Sequence, residues 1–323
     1  MRKGQQVSLV IKDHVIRYVQ FKNSQKGLIY KSYGERYLPA GIIDEGKIVE
    51  RDTFMMILEE CVNDWKIKGK PLLFTVPDNS VVIRKVQIDE EIPDEEVKGH
   101  LYLELGETLH LPFDEPYFDT SIVGRHGGKK EVILVAAPEQ IVNEYQDLLE
   151  EAKVKPVVAD LSSLSLYRLY YHLDLAHPED HLLSLQLSIN SMNITIFYQH
   201  IPIFTRHVRL NIENGTWELK RDFEKEEVLF WKGDRHEVDM QLTDTVTELE
   251  RIMNFYRFSL SKGKSQITKL LITGDHPDLL WFIAKCKESF DTPIQTMQDR
   301  EIYLKNGNGI PSRFNEIVGL SLK

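Results

Sequence analysis

His100 and His110, the serines Ser162, Ser163 and Ser165, the run Gly124–Lys130 (GRHGGKK), the acidic run Asp89–Glu96 and the triplet Thr273–Gly274–Asp275 carry the residue types that bind metals, attack carbonyls or hold phosphates. Their spacing argues against most of that chemistry. The two histidines lie ten positions apart, not at the i, i+4 spacing of a helical metal pair, so they read as solvated or core histidines. The serine cluster lacks a nucleophile elbow and reads as capping and packing of a helix that starts at Leu161. Gly124–Lys130 follows no strand-to-helix transition, which makes it an exposed hairpin loop rather than a phosphate cradle. The acidic run reads as a solvated helix start, and Gly274 as a tight strand-to-helix turn with Asp275 as its N-cap.

Composition narrows the classes further. The 323 residues suffice for about two domains. Forty basic against fifty acidic residues give a net charge of −10, which argues against nucleic acid or an anionic membrane as the main partner. Cys61 and Cys286 sit in separate apolar helical patterns and read as buried thiols. MRKGQQVSLVIKD has no apolar core of a signal peptide, and no apolar run approaches the ~20 residues that span a bilayer. The expected location is the cytoplasm, with any membrane attachment through another molecule.

The elements that must position these residues follow from periodicity. Val7–Ile11 and Val15–Phe21 alternate as paired strands about the turn Lys12–Asp13–His14, and a third strand covers Leu28–Tyr37. Phe54, Ile57, Leu58, Cys61, Val62 and Trp65 mark one helix face, and Leu72–Val76 is an apolar run typical of a strand covered on both sides. Strand Val81–Ile88, a helix with Val97, Leu101, Leu105 and Leu109 on one stripe, strands Tyr117–Val123 and Val132–Ala136, and a helix from Ile141 to Ala152 form an α+β insert. Leu161–Tyr171 is a buried helix. Leu182–Arg206 then repeats the opening hairpin, a charged region from Asn214 to Asp239 reads as a small exposed subdomain, and Thr243–Leu260 is a helix. The repeated hairpin suggests a duplicated α/β architecture with a cleft between halves, where such turns hold nucleotide phosphates.

The collinear order of LPAGIIDEGKI, FTVPDNSVVIRKVQI, HLPFDEPYFD, VILVAAPEQIVNEYQDLLEEAKVKPVVAD, FTR, TELERIMNFYR, LLITGD and VGLSL resembles the PilM family of type IV pilus assembly proteins, relatives of FtsA in the actin-like ATPase superfamily. The resemblance implies an α/β fold of two actin-like (RNase H-like) lobes. The first would span 1–180 with a 1C-like insert at about 83–155. The second would span 181–323, with a small exposed subdomain at about 211–262.

Family members with a working nucleotide site carry Asp-Ile-Gly-Ser-Ser at the first hairpin and Asp-Ile-Gly-Ala-Ser at the second. Glycines there admit phosphate to the backbone, and the aspartates hold hydrated Mg²⁺. Here the corresponding Asp positions are Val10 and Gln186, and the Gly positions are Lys12 and Ser188. A shifted register that used Asp13 instead would turn the strand inside out. Lys12 reads as a solvent-facing turn lysine in preference to a phosphate ligand. With Asn190, Gly274 and Asp275, these positions make a degenerate site. The expectation is a pseudo-ATPase with no cofactor or metal, the alternative being a PilM-like ATP-binding protein or ATPase with an unconventional phosphate grip.

Binding then remains as the function. The resemblance implies that a groove between the first lobe and the insert takes the N-terminal cytoplasmic peptide of a PilN-like membrane protein. The chain would thereby join other pilus assembly proteins at the inner face of the membrane, with no nucleic-acid partner and no membrane insertion of its own. Val82, Arg84, Val86, Leu101 and Leu105 are the expected groove residues, with ordinary packing of the insert as the competing account. Filament formation and oligomeric state stay open.

Overall fold

The computed structural model describes residues 4–25, 27–210, 217–221, 227–297 and 302–323. Strands β1 (Gln5–Lys12), β2 (Val15–Ser24) and β3 (Gly27–Tyr37) form an antiparallel meander. The small hairpin β4 (Ile43–Asp44) and β5 (Lys47–Ile48) leads to helix α1 (Arg51–Asp64), and β6 (Pro71–Thr75) returns parallel to β1. Alternation in β1 sorts the side chains. Val7, Leu9 and Ile11 share a core with Phe54, Leu58 and Cys61 of α1, while Val10 faces the opposite core. Burial pushes the thiols of Cys61 and Cys286 up to about 12, as expected of inert core cysteines.

The insert follows as β7 (Val82–Asp89), α2 (Val97–Leu103), β8 (Pro116–His126), β9 (Lys129–Pro138) and α3 (Glu139–Glu151). Its sheet has the order β7-β9-β8, antiparallel throughout. Two departures from expectation occur here. Helix α2 ends at Leu103 rather than carrying its stripe on to Leu109, because Gly106 adopts φ +83° in a turn that brings Leu105 against Leu109. Helix α3 buries Tyr145, Leu148 and Leu149 in the α1 core of the first lobe, not in the core of the insert.

β10 (Lys155–Asp160) completes the first sheet in the order β10-β6-β1-β2-β3, and α4 (Ser162–His172) follows it. The second sheet repeats the plan. β11 (Leu182–Leu187), β12 (Ser191–Tyr198) and β13 (Ile201–Arg209) form a meander, followed by the hairpin β14 (Trp217–Arg221) and β15 (Glu227–Trp231), helix α5 (Arg235–Phe255), β16 (Lys269–Gly274), helix α6 (Leu279–Ser289) and β17 (Ile294–Gln295). Its order, β13-β12-β11-β16-β17, matches the first sheet strand for strand. Helix α5 starts eight residues before the expected Thr243, capped by the Asp234 carboxylate on the His236 N–H. Of the exposed subdomain expected at 211–262, residues 211–216 and 222–226 lie outside the described residues.

A last pair, β18 (Ile302–Tyr303) and β19 (Gly309–Ile310), precedes helix α7 (Asn315–Ser321), all seven residues of which are buried. The segment expected in the second lobe thus packs instead on α4, β1, β2 and β6 of the first. The crossing is close: a Cβ on Gly319 would stand 1.9 Å from the Ser165 carbonyl oxygen, so only glycine fits. Among the described residues no helix is long and apolar enough to cross a membrane. Gly319→Ala forces α4 and α7 apart and is expected to lower the unfolding free energy by about 1–3 kcal/mol in urea titrations. The exposed helical Gly99, with open space beside it, serves as the contrast, since alanine there is expected to stabilise by up to about 1 kcal/mol.

Candidate functional site

The repeated plan brings two hairpin turns face to face, Lys12–Asp13–His14 between β1 and β2 and Ser188–Ile189–Asn190 between β11 and β12. Asn190 Nδ2 donates to Asp13 Oδ2 at 2.7 Å across the cleft. The same carboxylate accepts the N–H groups of Glu45 at 2.8 Å and Gly46 at 2.9 Å from the β4–β5 turn. Asp13 is therefore occupied by three donors from the chain itself.

Asp275 makes the second bridge. It is not the N-cap of α6, which begins after Asp278. Its side chain, 4% exposed, accepts Arg17 Nη1 at 2.5 Å, lies 3.0 Å from His14 Nε2 and accepts Ser188 Oγ at 3.1 Å. Burial alone would raise this carboxyl, but Lys12, His14 and Arg17 hold it well below the usual carboxylate range. Arg17, 3% exposed within β2, also donates Nε to Glu35 at 2.8 Å, and Glu35 in turn accepts Arg313 at 2.9 Å. Gly274 makes the geometry possible. At φ +136° its missing Cβ would fall 1.9 Å from the Leu187 carbonyl oxygen, so the ends of β11 and β16 can touch.

The remaining expected positions have structural partners too. Val10 is 3% exposed and belongs to the core beneath the cleft. Lys12 does not face solvent as a free turn residue. Its ammonium is 3.0 Å from Glu316 on α7 and only 19% exposed. Burial opposes its charge, yet Glu316, Asp275 and Asp78 hold it above the ordinary lysine range. Gln186 Oε1 accepts Ser162 Oγ at 3.1 Å. The same hydroxyl is shared with Asp78, which accepts Asn193 Nδ2 at 2.6 Å. The free volume among these side chains is about 50 Å³, against roughly 300–1,000 Å³ for ligand pockets.

Sequence reasoning missed Arg17, Glu35, Asp78, Asn193, Arg313 and Glu316. Arg17 left one signal, a cation inside the strand pattern VIRYVQF that must find a buried anion. Two motifs set aside as surface features explain each other: Lys130, 2% exposed, reaches Asp94 at 2.5 Å, Arg125 reaches Asp94 at 2.6 Å, and Lys129 pairs with Asp89. Among the described residues no group of three His, Cys, Asp or Glu is placed to hold a metal ion.

A larger apolar groove, about 770 Å³, opens between the insert and the lobes. Its walls include Val76, Val135, Val142, Leu164 and Ile201. Tyr117 to Ser121 line it consecutively, which means that the free edge of β8, not one face of it, borders the space. None of Val82, Arg84, Val86, Leu101 or Leu105 borders this groove. Strand β7, which carries the first three, is the other edge of the insert sheet. Arg84 is exposed, Val82 is half-buried opposite Ala136, and Val86, Leu101 and Leu105 pack in the core of the insert.

Two outcomes are expected of the cleft. Removing Asp275 leaves Arg17 buried with Glu35 alone, so Asp275→Ala is expected to cost about 3 kcal/mol in chemical denaturation. The double variant Arg17→Met with Asp275→Leu should cost less than the sum of the single changes. Asp78 supplies a pH dependence, because burial, with Glu316 nearby, pushes its carboxyl from the ordinary 3.8 up to about 7. Between those values the folded chain holds a proton that the unfolded chain has released. The contribution is complete below about pH 4 and falls away as pH rises towards 7. Asp78→Asn should flatten that part of the stability profile, and an unchanged slope would assign the proton elsewhere.

Comparison with known proteins places this geometry. The structure is similar to that of a PilM–PilN type IV pilus biogenesis complex, with TM-score 0.77 and 17% identity over 99% of this chain and 98% of that one. It is also similar to a Bacteroides thetaiotaomicron protein with an actin-like ATPase fold (TM-score 0.52, 10% identity, 99% and 97% covered). A third likeness is to the cytoplasmic domain of EpsL, an inner-membrane component of the Vibrio cholerae type II secretion system (TM-score 0.50, 9% identity, 99% and 95% covered). At these identities the likeness shows the fold, which is actin-like. No curated protein sequence matches the chain. The profile of type IV pilus assembly protein PilM matches residues 9–228, more than half of the chain, and the protein belongs to that family.

Proposed function

We propose that this chain is a non-catalytic scaffold of a type IV pilus, or related competence or secretion, assembly platform. In this reading it captures the cytoplasmic N-terminal segment of a PilN-like inner-membrane protein, which keeps it at the inner face of the membrane. The observation that carries the reading is the apolar groove beside β8. A free strand edge offers backbone donors and acceptors to an extended peptide, while the apolar walls take alternate side chains. Five lining residues at about 3.3 Å each give room for a segment of about five residues. Membership of the PilM family, and the likeness to a structure solved with PilN, support the choice of partner.

The pseudo-ATPase half of the proposal rests on the cleft. Asp13 and Asp275 are saturated by internal donors, Val10 and Gln186 stand where metal-positioning carboxylates would, and the residual volume is far below that of a nucleotide. Such a cleft joins lobes and has no grip on a triphosphate.

In fluorescence anisotropy with a PilN-like N-terminal peptide, Leu164→Asp is expected to weaken binding at least tenfold, about 1.4 kcal/mol. Arg84→Glu should leave the affinity unchanged. The reverse pattern would move the site to β7. With Mg-ATP, turnover should not exceed background, and turnover abolished by changing Lys12 or Ser188 would establish an enzyme.

A further inference from the structure

We infer that the tip formed by residues 251–264, at the end of α5, is a docking point for an anionic lipid surface. This surface is separate from both the groove and the cleft.

The tip is built, not merely exposed. Helix α5 buries Leu242, Val246, Leu249 and Ile252 along one stripe and is followed at its C-terminal end by Tyr256, 3% exposed. The chain then widens into a π-type turn over Tyr256–Leu260, closed by the Ser261 N–H on the Tyr256 carbonyl at 2.8 Å. Turns of this kind are rare and concentrate at functional sites. The Gly263 N–H and the Ser261 hydroxyl both donate to the Arg257 carbonyl at 2.7 Å, and the Ser265 N–H donates to Ser261 Oγ at 3.2 Å. This bonding holds apolar side chains outward that a looser loop would fold away. Phe258 is 63% exposed, and Phe255 and Leu260 are each 42% exposed. Phe255 leans on Phe204 at 5.5 Å, which extends the patch onto β13.

Charge selects the occupant. From Ile252 to Gly274 the sequence has no acidic residue, in a chain of net charge −10. Arg251, Arg257, Lys262 and Lys264 flank these residues in the chain and Arg206 joins them through Glu248, against the acidic Glu248 and Glu250. Glu248 is already shared between Arg206 at 2.8 Å and Arg251 at 3.3 Å. The Arg257 guanidinium lies 5.2 Å from the centre of the Phe258 ring. Aromatic and leucine side chains projecting from a cationic rim suit an interface where the apolar tips enter the acyl boundary and the cations meet phosphate headgroups.

The test is co-sedimentation of the full chain with vesicles of equimolar phosphatidylglycerol and phosphatidylethanolamine, beside vesicles of phosphatidylcholine. Binding is expected to the anionic vesicles only and to fall as salt is raised, because the screening length shortens to about 10 Å at 0.1 M. Phe258→Ser with Leu260→Ser, and separately Lys262→Glu with Lys264→Glu, should each weaken binding about tenfold or more. Leu280→Ser, an equally exposed change elsewhere on the same lobe, should have no effect. Circular dichroism of each variant checks that α5 is retained. No binding by the parent chain, equal binding to both vesicle types, or binding indifferent to both paired variants would overturn the assignment. So would a tip that captures a soluble protein while the vesicles stay bare.

Discussion

The ion pair between Arg17 and Asp275 is the constraint around which the two lobes are arranged. Arg17 lies in a strand of the first sheet with almost no contact with water, and a guanidinium in that position must be met by an anion. Asp275 meets it from the end of a strand in the second sheet, 258 positions away in the chain. That distance of approach sets how near the two hairpin turns stand to each other. Once they are that near, Asp13 is within reach of Asn190, His14 of Asp275, and Lys12 of Glu316. In this chain the cleft between the halves is a polar seam in which Asp13, Asp275 and Lys12 are partnered by the chain itself, while His14 Nδ1 is buried without a hydrogen-bond partner among the described residues.

The same logic makes the C-terminal helix part of the first lobe. Glu316 is the anion for Lys12, and Arg313, just before α7, shares Glu35 with Arg17. Without that segment, Lys12 would lose the carboxylate of Glu316, and Glu35 would keep Arg17 but not Arg313. The steric condition is Gly319, the one residue whose lack of a side chain lets α7 reach α4. The insert works differently. Its sheet is closed against α2 on one face, its charged runs pair with one another, and one strand edge is left bare beside an apolar groove. The proposed capture of a peptide rests on these two features, a cleft filled by its own polar side chains and a free strand edge beside an apolar groove.

Much of the fold was legible in the sequence. The three-strand meanders, the α1 stripe from Phe54 to Trp65, the buried Leu72–Val76 run and the amphipathic α3 follow from periods of 2 and 3.6, and these are local properties. Helix ends were less legible. Leu105 and Leu109 fit the α2 stripe, but Gly106 at positive φ converts that spacing into a turn, and the charged residues before Thr243 form the first turns of α5. The groove beside β8 was not legible for a related reason: alternation shows that a strand has an inner face, but not which edge of the sheet will lack a neighbour.

Element order, the duplication of the hairpins and the absence of carboxylates and glycines at four key positions were determined by the sequence alone, because each depends on residue type and short spacing. Which charges meet was decided only by the tertiary structure. Lys12 and Asp275 looked like a surface lysine and a helix cap, and became members of a buried network because folding set Glu316 and Arg17 beside them. The physical reason is that an electrostatic role is a property of a pair in a given dielectric, and neither the partner nor the burial is written next to the residue in the chain.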